Sequence, residues 1–232
     1  MPDLPFITYQ YPNVASFADL VNTPFAGERN ALCWQRELKG DFREIVNAIT
    51  VNGNITVIEP DELRALILSE EGQTAREIIL HDLHLLQDYG AQPVLNLITH
   101  YERDEDFPFF PTDVYSFHAD SSPIATDTFL CTYFGAPSEI IPNALCEKKV
   151  LVPEIRAELL KLYDGPEEGF EAFLSEHFFD LHYQGKPNAQ TINCGIGNLW
   201  RLAVANPESP VAPCVHRAPQ EKPGEPRLLL IC

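Results

Sequence analysis

The chain has 232 residues, of which 45% are hydrophobic and 22% charged, a composition typical of a folded globular protein. Its 16 Lys and Arg residues and 34 Asp and Glu residues give a formal net charge of −18. This acidity argues against nucleic-acid binding and against binding to anionic membrane surfaces, because both require basic patches.

No apolar run approaches the roughly 18 residues of a transmembrane helix, so we expect no membrane span. The start, Met-Pro-Asp-Leu-Pro-Phe, lacks the basic segment of a secretory signal. Six cysteines are scattered along the chain and no two have Cys-x-x-Cys spacing, which argues against a zinc-ribbon or thioredoxin-like site. These observations predict reduced thiols and a cytoplasmic location.

The N-terminal part, residues 1–91, is predicted to be mainly helical. Residues 1–35 are rich in Pro and largely irregular, and a short apolar run follows at 55–58. Gly72 is expected to break one helix and Gly90 to end the clearest one. Apolar residues at helical spacing predict four helices, over residues 16–21, 42–47, 61–68 and 74–89.

From residue 92 the apolar period changes to that of strands, and residues 92–232 are expected to form the core of the domain. A helical insert is predicted over about 150–183, with helices at 153–163 and 166–179. The layout predicts one α+β domain over residues 1–232, with helices outside a β-sandwich or barrel. Strands are predicted over residues 94–101, 114–120, 128–134, 139–142, 190–203, 214–217 and 227–232.

Three weaker patterns favour ordinary structural roles. His81 and His84 lie three residues apart on a predicted helix, but their polar neighbours favour a solvated face over a metal site. The acidic loop at 102–106 lacks the Gly and the terminal Glu of a known calcium loop, which favours a solvated turn. Gly195 and Gly197 open no helix, so a bend between two antiparallel strands is favoured over a phosphate-binding loop.

The stretch over 114–120 contains the strongest candidate for a functional site. In a strand, Ser116, His118 and Asp120 face one way, with about 7 Å between the Cα atoms of the last two. A His-x-Asp pair alone is more often a surface pair or a core hydrogen bond than a metal site. A late His216 completes two histidines and one carboxylate, which is the facial triad of non-haem Fe(II) oxygenases.

The pattern His118-Ala-Asp120, followed by His216 and by Arg227 before Leu-Leu-Leu-Ile, resembles the Fe(II)/2-oxoglutarate-dependent dioxygenase superfamily. The resemblance implies a double-stranded β-helix, or jelly roll, with N-terminal helices and a helical insert between core strands. It also implies that His118, Asp120 and His216 bind Fe(II), and that Arg227 pairs with the distal carboxylate of the cosubstrate 2-oxoglutarate. A planar guanidinium suits that role because it donates two parallel hydrogen bonds.

The near end of 2-oxoglutarate is not assigned by these motifs. Tyr133 is the preferred candidate because of the reach of its hydroxyl, although a buried core tyrosine is an equal interpretation. Thr128 and Asn143 are the other candidates. Trp200 and Arg201 are candidates for the substrate side, although a strand Trp usually belongs to the core.

A narrower resemblance, to a bacterial family of uncharacterised proteins, covers most of the chain and departs at an insert over residues 145–188. It implies a fold but no activity. The segments that carry it are residues 29–36, 117–120, 130–135, 216–219 and 227–230.

The function predicted from these motifs is a 2-oxoglutarate-dependent oxygenase. It would use O₂ to hydroxylate, desaturate or cyclise a small molecule, such as an amino acid, by hydrogen-atom abstraction. The carboxylate of Asp120 argues against a halogenase, in which that ligand is absent. Two alternatives stay open at this point: a cupin-type metal enzyme that does not use 2-oxoglutarate, and a non-catalytic binding protein on the same scaffold. The oligomeric state is not predicted.

Overall fold

The computed structural model describes residues 11–177, 181–220, 222 and 224–232. Over these ranges the protein has six α-helices and two large, mainly antiparallel β-sheets, which confirms the mixed α+β class. None of the described helices combines the length and the apolar character needed to cross a bilayer. The end of the helix predicted over 166–179 lies outside the described residues.

Four of the α-helices lie in the N-terminal part and two lie in the insert. Short 3₁₀ helices add single turns at Asn143–Leu145, Lys149–Leu151 and Glu167–Gly169. The α-helices are α1 (Phe17–Asn22), α2 (Phe42–Ala48), α3 (Pro60–Ala65), α4 (Glu70–Tyr89), α5 (Pro153–Leu160) and α6 (Phe170–Glu176).

The larger sheet has seven strands and mixes the two halves of the chain. Its first pair is parallel and the other neighbours are antiparallel. Across the sheet the order is β1 (Asn13–Val14), β2 (Ala31–Trp34), β11 (Leu199–Ala203), β6 (Asp127–Phe134), β13 (Arg227–Ile231), β4 (Val94–Ile98) and β3 (Ile55–Ile58).

The smaller sheet has six short, antiparallel strands. Their order is β10 (Ile192–Asn193), β7 (Glu139–Ile140), β12 (His216–Arg217), β5 (Phe117–His118), β9 (His182–Gly185) and β8 (Cys146–Lys148). The central pair, β12 and β5, is formed by segments about a hundred residues apart in sequence. This pairing is what brings the two candidate histidines onto neighbouring strands.

Alternation along β6 separates the two apolar layers of the protein. Phe129, Cys131 and Tyr133 face the layer between the larger sheet and the N-terminal helices. Leu130 lies in the layer between the two sheets, where it packs with side chains such as Leu229. Residues two apart in a strand share a face, so the even-numbered residues of β6 point toward the smaller sheet.

Several element predictions were wrong in detail. Gly72 lies inside α4, because Ser69 caps the helix by accepting a hydrogen bond from the Gly72 amide. Only Phe117–His118 of the predicted strand over 114–120 is a strand. Strand β2 was not predicted, since residues 1–35 were expected to be irregular. Gly195 and Gly197 lie in a bend, both with positive φ, but the flanking strands belong to different sheets.

The insert leaves the smaller sheet after β8 and returns as β9, and these two strands pair with each other. Its helices enclose a small apolar cluster of their own, with Phe110 and Leu159 fully buried in it. Strand β9 then pairs with β5. The two ends of the insert are therefore held beside the strand that carries His118.

Candidate metal centre

The structure brings His118, Asp120 and His216 together, with one possible ligand atom from each lying within 4.8 Å of the others. His118 and His216 are directly opposite each other on β5 and β12, and their ring centroids are 4.6 Å apart. The Asp120 carboxylate lies 3.9 Å from Nε2 of His118 and 3.7 Å from Nε2 of His216. Side chains opposite each other in an antiparallel pair share a face, which explains the convergence of the two imidazoles.

Both imidazoles are oriented by the backbone in the same way. Nδ1 of His118 lies 2.8 Å from the carbonyl oxygen of Ser116, and Nδ1 of His216 lies 3.3 Å from that of Cys214. A carbonyl only accepts, so Nδ1 of each neutral ring is the donor, and the lone pair of Nε2 points toward the centre. Such backbone hydrogen bonds are typical of metal-ligating histidines. The donor set therefore fits a divalent transition-metal ion.

Asp120 is held in place by Thr128 on β6, whose hydroxyl donates a 2.6 Å hydrogen bond to Oδ2. The sequence had suggested Thr128 as a 2-oxoglutarate ligand. The structure places it instead against the Asp120 carboxylate, across the layer between the two sheets. This contact connects the larger sheet to the candidate centre.

Replacing Thr128 with valine is expected to weaken metal binding by roughly 10- to 100-fold, the usual effect of losing a group that orients a ligand. Valine keeps the shape of threonine but cannot donate to Asp120. Competition with a chromophoric chelator measures the change. Thr126→Val, at an exposed position on the same segment, serves as the control, and equal affinities in the two variants would show that the hydroxyl has no role.

The cluster is only partly shielded from solvent. The Asp120 side chain is 34% exposed and that of His118 is 17% exposed, whereas that of His216 is 8% exposed. Burial lowers the pKa of the His216 imidazole, against the opposing effect of Asp120, and the neighbouring His118 and Arg227 lower it further. His216 is therefore held in the neutral form that can bind a metal, while the Asp120 side remains open.

Arg227 lies on β13 of the larger sheet and is 2% exposed. Its Nη2 donates to the hydroxyls of Thr132 and Ser138, at 3.1 and 2.6 Å. Because Ser138 immediately precedes β7, this bond crosses from one sheet to the other. A guanidinium thus lies in the layer between the sheets, close enough to His216 for its charge to act on that ring.

Tyr133 lies on the other face of the larger sheet. Its hydroxyl donates a 2.6 Å hydrogen bond to the buried Asp82, and its ring stacks on Phe42. Asp82 also forms a two-pronged ion pair with Arg36, at 2.7 and 2.8 Å. This placement argues against the interpretation of Tyr133 as a 2-oxoglutarate ligand, because successive β6 side chains alternate between the two faces.

The other proposed ligand-side residues have structural partners. Asn143 bonds to Asn30 and to the carbonyl of Pro213. The indole of Trp200 donates to the carbonyl of Cys194, within the layer between the sheets. Arg201 pairs with Asp127 and with three carbonyls at the end of α1. These contacts account for all three side chains without a ligand.

The weaker patterns have ordinary explanations in the structure. His81 and His84 are exposed on α4, as expected for a solvated face. In the acidic loop, Asp104 accepts hydrogen bonds from the backbone and hydroxyl of Thr112, which is a turn-stabilising arrangement. All six cysteines are free, and five of them are buried.

Sequence reasoning missed two side chains next to the centre, His182 and Lys149. His182 pairs with His118 across β9 and β5, and their ring centroids are 6.2 Å apart. Burial lowers the pKa of His182 to about 4, with further contributions from His118 and Lys149. No spacing in the sequence identifies His182, because its position depends on how the strand after the insert pairs.

Comparison of the chain with protein-family models, with curated proteins and with solved structures gives no match.

Proposed function

We propose that this protein is a non-haem Fe(II)- and 2-oxoglutarate-dependent oxygenase, built on a jelly-roll core and acting on a small molecule. The observation that carries the proposal is the convergence of two imidazoles and one carboxylate from β5, the segment that follows it, and β12. Two facing antiparallel sheets are compatible with a jelly roll.

The donor set supports the choice of metal. Two histidines and one carboxylate on one side of a metal leave positions open on the other, which is the arrangement used by non-haem Fe(II) oxygenases. The carbonyls of Ser116 and Cys214 and the hydroxyl of Thr128 each fix one ligand before a metal arrives. Ligands oriented in advance reduce the ordering that metal binding requires.

Arg227 supports the choice of cosubstrate. It is a buried cation in the layer between the two sheets, and its Nη2 donates to the hydroxyls of Thr132 and Ser138. A planar guanidinium can pair with a carboxylate through two parallel hydrogen bonds. A dicarboxylate would therefore bind the metal at one end and the guanidinium at the other.

In this function the protein mainly positions the reactants. Fe(II), when bound, would supply the activation of O₂. His118, Asp120 and His216 would hold the metal on one side, Thr128 would keep the Asp120 carboxylate aligned, and Arg227 would orient the cosubstrate. Apolar side chains between the sheets, among them Leu229 and Ile140, exclude water from the buried side.

The test is a reaction of purified protein with Fe(II), ascorbate, O₂ and 2-oxoglutarate, measured as succinate formed and as 2-oxoglutarate bound under nitrogen. We expect binding of about one metal per chain and slow turnover even without the substrate. Metal binding without any effect of 2-oxoglutarate would favour the cupin-type alternative. A folded protein that binds no metal and shows no effect of 2-oxoglutarate would favour the non-catalytic binding protein.

Replacing Arg227 with methionine is expected to raise the Kd for 2-oxoglutarate roughly 10- to 100-fold, the loss typical of a charge-assisted pair. Arg227→Lys keeps the charge but loses the planar fork, so its Kd should be intermediate. Titration of the anaerobic Fe(II) protein, followed by its absorbance, gives both values. Equal Kd values in all three proteins would remove Arg227 from the cosubstrate site.

A further inference from the structure

The two metal-binding histidines belong to a longer row of side chains across the smaller sheet. His216 pairs with His118, and His118 pairs with His182. Lys149 follows β8, whose last residue Lys148 pairs with Tyr183, and its Nζ reaches the Ser116 hydroxyl, two residues before His118. Three imidazoles thus lie side by side across the smaller sheet, and the Lys149 ammonium group lies near the outer one, since Phe110 contacts both it and His182.

Lys149 is a buried cation whose hydrogen-bond partners among the described residues are neutral. The residue is 7% exposed, and its Nζ donates to the Pro111 carbonyl at 2.9 Å and to the Ser116 hydroxyl at 2.6 Å. Within the part of the chain that the structure describes, no carboxylate lies within 4 Å of this nitrogen. An ammonium group has three donors, so one N–H remains for another acceptor.

Of the described carboxylates, Asp104 and Asp113 act on the Lys149 charge, and both accept hydrogen bonds within their own loop. Asp104 accepts from Thr112, and Asp113 accepts from the amides of Tyr115 and Ser116. Both act on Lys149 only through space. Among the described residues the ammonium group therefore has no carboxylate in direct contact, and a ligand that supplies an anion would compensate its charge.

His182 lies between this ammonium group and the centre. Its Nδ1 is buried and has no hydrogen-bond partner among the residues that the structure describes, although the residue as a whole is partly exposed. Phe110 packs edge-on against the imidazole at 6.0 Å and also lies against the ammonium of Lys149 at 5.2 Å. The Phe110 ring thus packs against both polar groups.

From this geometry we infer that Lys149 and His182 form a subsite, adjacent to the metal centre, that binds a carboxylate group of the substrate. The inference rests on the proposed function, since it describes the substrate side of the same centre. The subsite lies on the smaller sheet, whereas Arg227 lies on the larger one. Two separate cationic groups allow two anions to bind at once: the cosubstrate at Arg227 and the substrate carboxylate at Lys149 and His182.

Both residues are also the points at which the insert joins the smaller sheet. Lys149 begins the 3₁₀ turn that leads into the insert, and His182 begins the strand that follows it. A carboxylate bound by both would therefore connect the two ends of the insert. The substrate class that fits is a small organic acid, an amino acid included, with its carboxylate held next to His118.

The test uses hexanoate as a probe and hexanamide as its neutral counterpart, each titrated into the 232-residue protein by calorimetry, with and without Zn(II). We expect hexanoate to bind at least about 10-fold more tightly than hexanamide, the preference typical of a charge-assisted hydrogen bond. Lys149→Met should remove this preference. His182→Gln should weaken hexanoate binding several-fold, and Arg227→Met should leave it intact.

Lys161→Met is the matched control, because Lys161 is exposed at the end of α5 and pairs only with Glu158 among the described residues. Thermal unfolding checks that each variant is folded. In the wild-type protein, hexanoate should also shift the imidazole NMR signals of His182, a readout that needs no variant. Unchanged signals, or hexanoate binding that is equal in Lys149→Met and the wild type, would overturn the inference.

The two proposals fail in different ways. If the protein binds metal and 2-oxoglutarate but hexanoate binding does not depend on Lys149, the subsite is refuted and the oxygenase stands. If hexanoate binding depends on Lys149 but no metal is bound, the anion site stands and the oxygenase is refuted. Absence of hexanoate binding under every condition also refutes the subsite.

Discussion

Replacing His216 with alanine is expected to abolish metal binding and all succinate formation. His216 and Asp120 come from distant parts of the chain, and their ligand atoms meet only because β12 pairs with β5. Without His216 the metal keeps one imidazole and one carboxylate, which is too few protein ligands for a site with open positions. Metal analysis of protein purified in iron-replete medium measures the effect as a fall from about one metal per chain to nearly none.

His84→Ala is the matched control, since it removes an exposed imidazole from α4. Its metal content and turnover should equal those of the wild type. If His216→Ala and His118→Ala both bind as much metal per chain as the wild type, the bound metal lies elsewhere. That result would remove the basis of the proposed function.

Replacing Asp82 with alanine is expected to lower the free energy of unfolding by about 3–5 kcal/mol, as happens when one partner of a buried ion pair is removed. Asp82 is fully buried, and its carboxylate accepts from the Arg36 guanidinium and from the Tyr133 hydroxyl. Arg36 would keep its charge but lose its counterion, since its side chain is only 10% exposed. Urea denaturation, followed by tryptophan fluorescence, measures the change.

Tyr133→Phe is the milder variant at the same cluster. It removes one hydrogen bond to Asp82 but keeps the ring on Phe42, so we expect a loss of about 1–2 kcal/mol. Its Kd for 2-oxoglutarate should not change, because the hydroxyl points to the helical side of the sheet. A large rise in that Kd would instead place Tyr133 in the cosubstrate site, as the sequence had suggested.

The Asp82 cluster shows what the sequence pattern could and could not reveal. From the sequence, Asp82 was counted among the polar neighbours of His81 and His84 on a solvated face, but Asp82 lies seven residues after Ala75 and three after Ile79, on the buried side of α4. Its partners were not visible in the sequence, because Arg36 follows β2 and Tyr133 lies on β6. Only the packing of the helix on the larger sheet brings these three segments together.

The sequence by itself determined most of the local helices and strands and the residue types of the candidate metal site. Alternating and 3.6-residue periods predicted most strands and the long helix, because those periods follow from backbone geometry. The pair His118 and Asp120 was recognisable, since residues two apart in an extended segment share a face. The choice of His216 as a partner came from its motif and not from any local period.

Tertiary structure alone decided which segments are neighbours. Those neighbours determine what His182, Tyr133 and Thr128 contact. The pairing of β9 with β5 placed His182 beside His118, and the register of β6 turned Tyr133 toward the helices and Thr128 toward Asp120. A shift of one residue in a strand reverses the face of every side chain, and contacts between distant segments depend on the whole packed core. Local sequence patterns specify neither the register of a strand pair nor the contacts between distant segments.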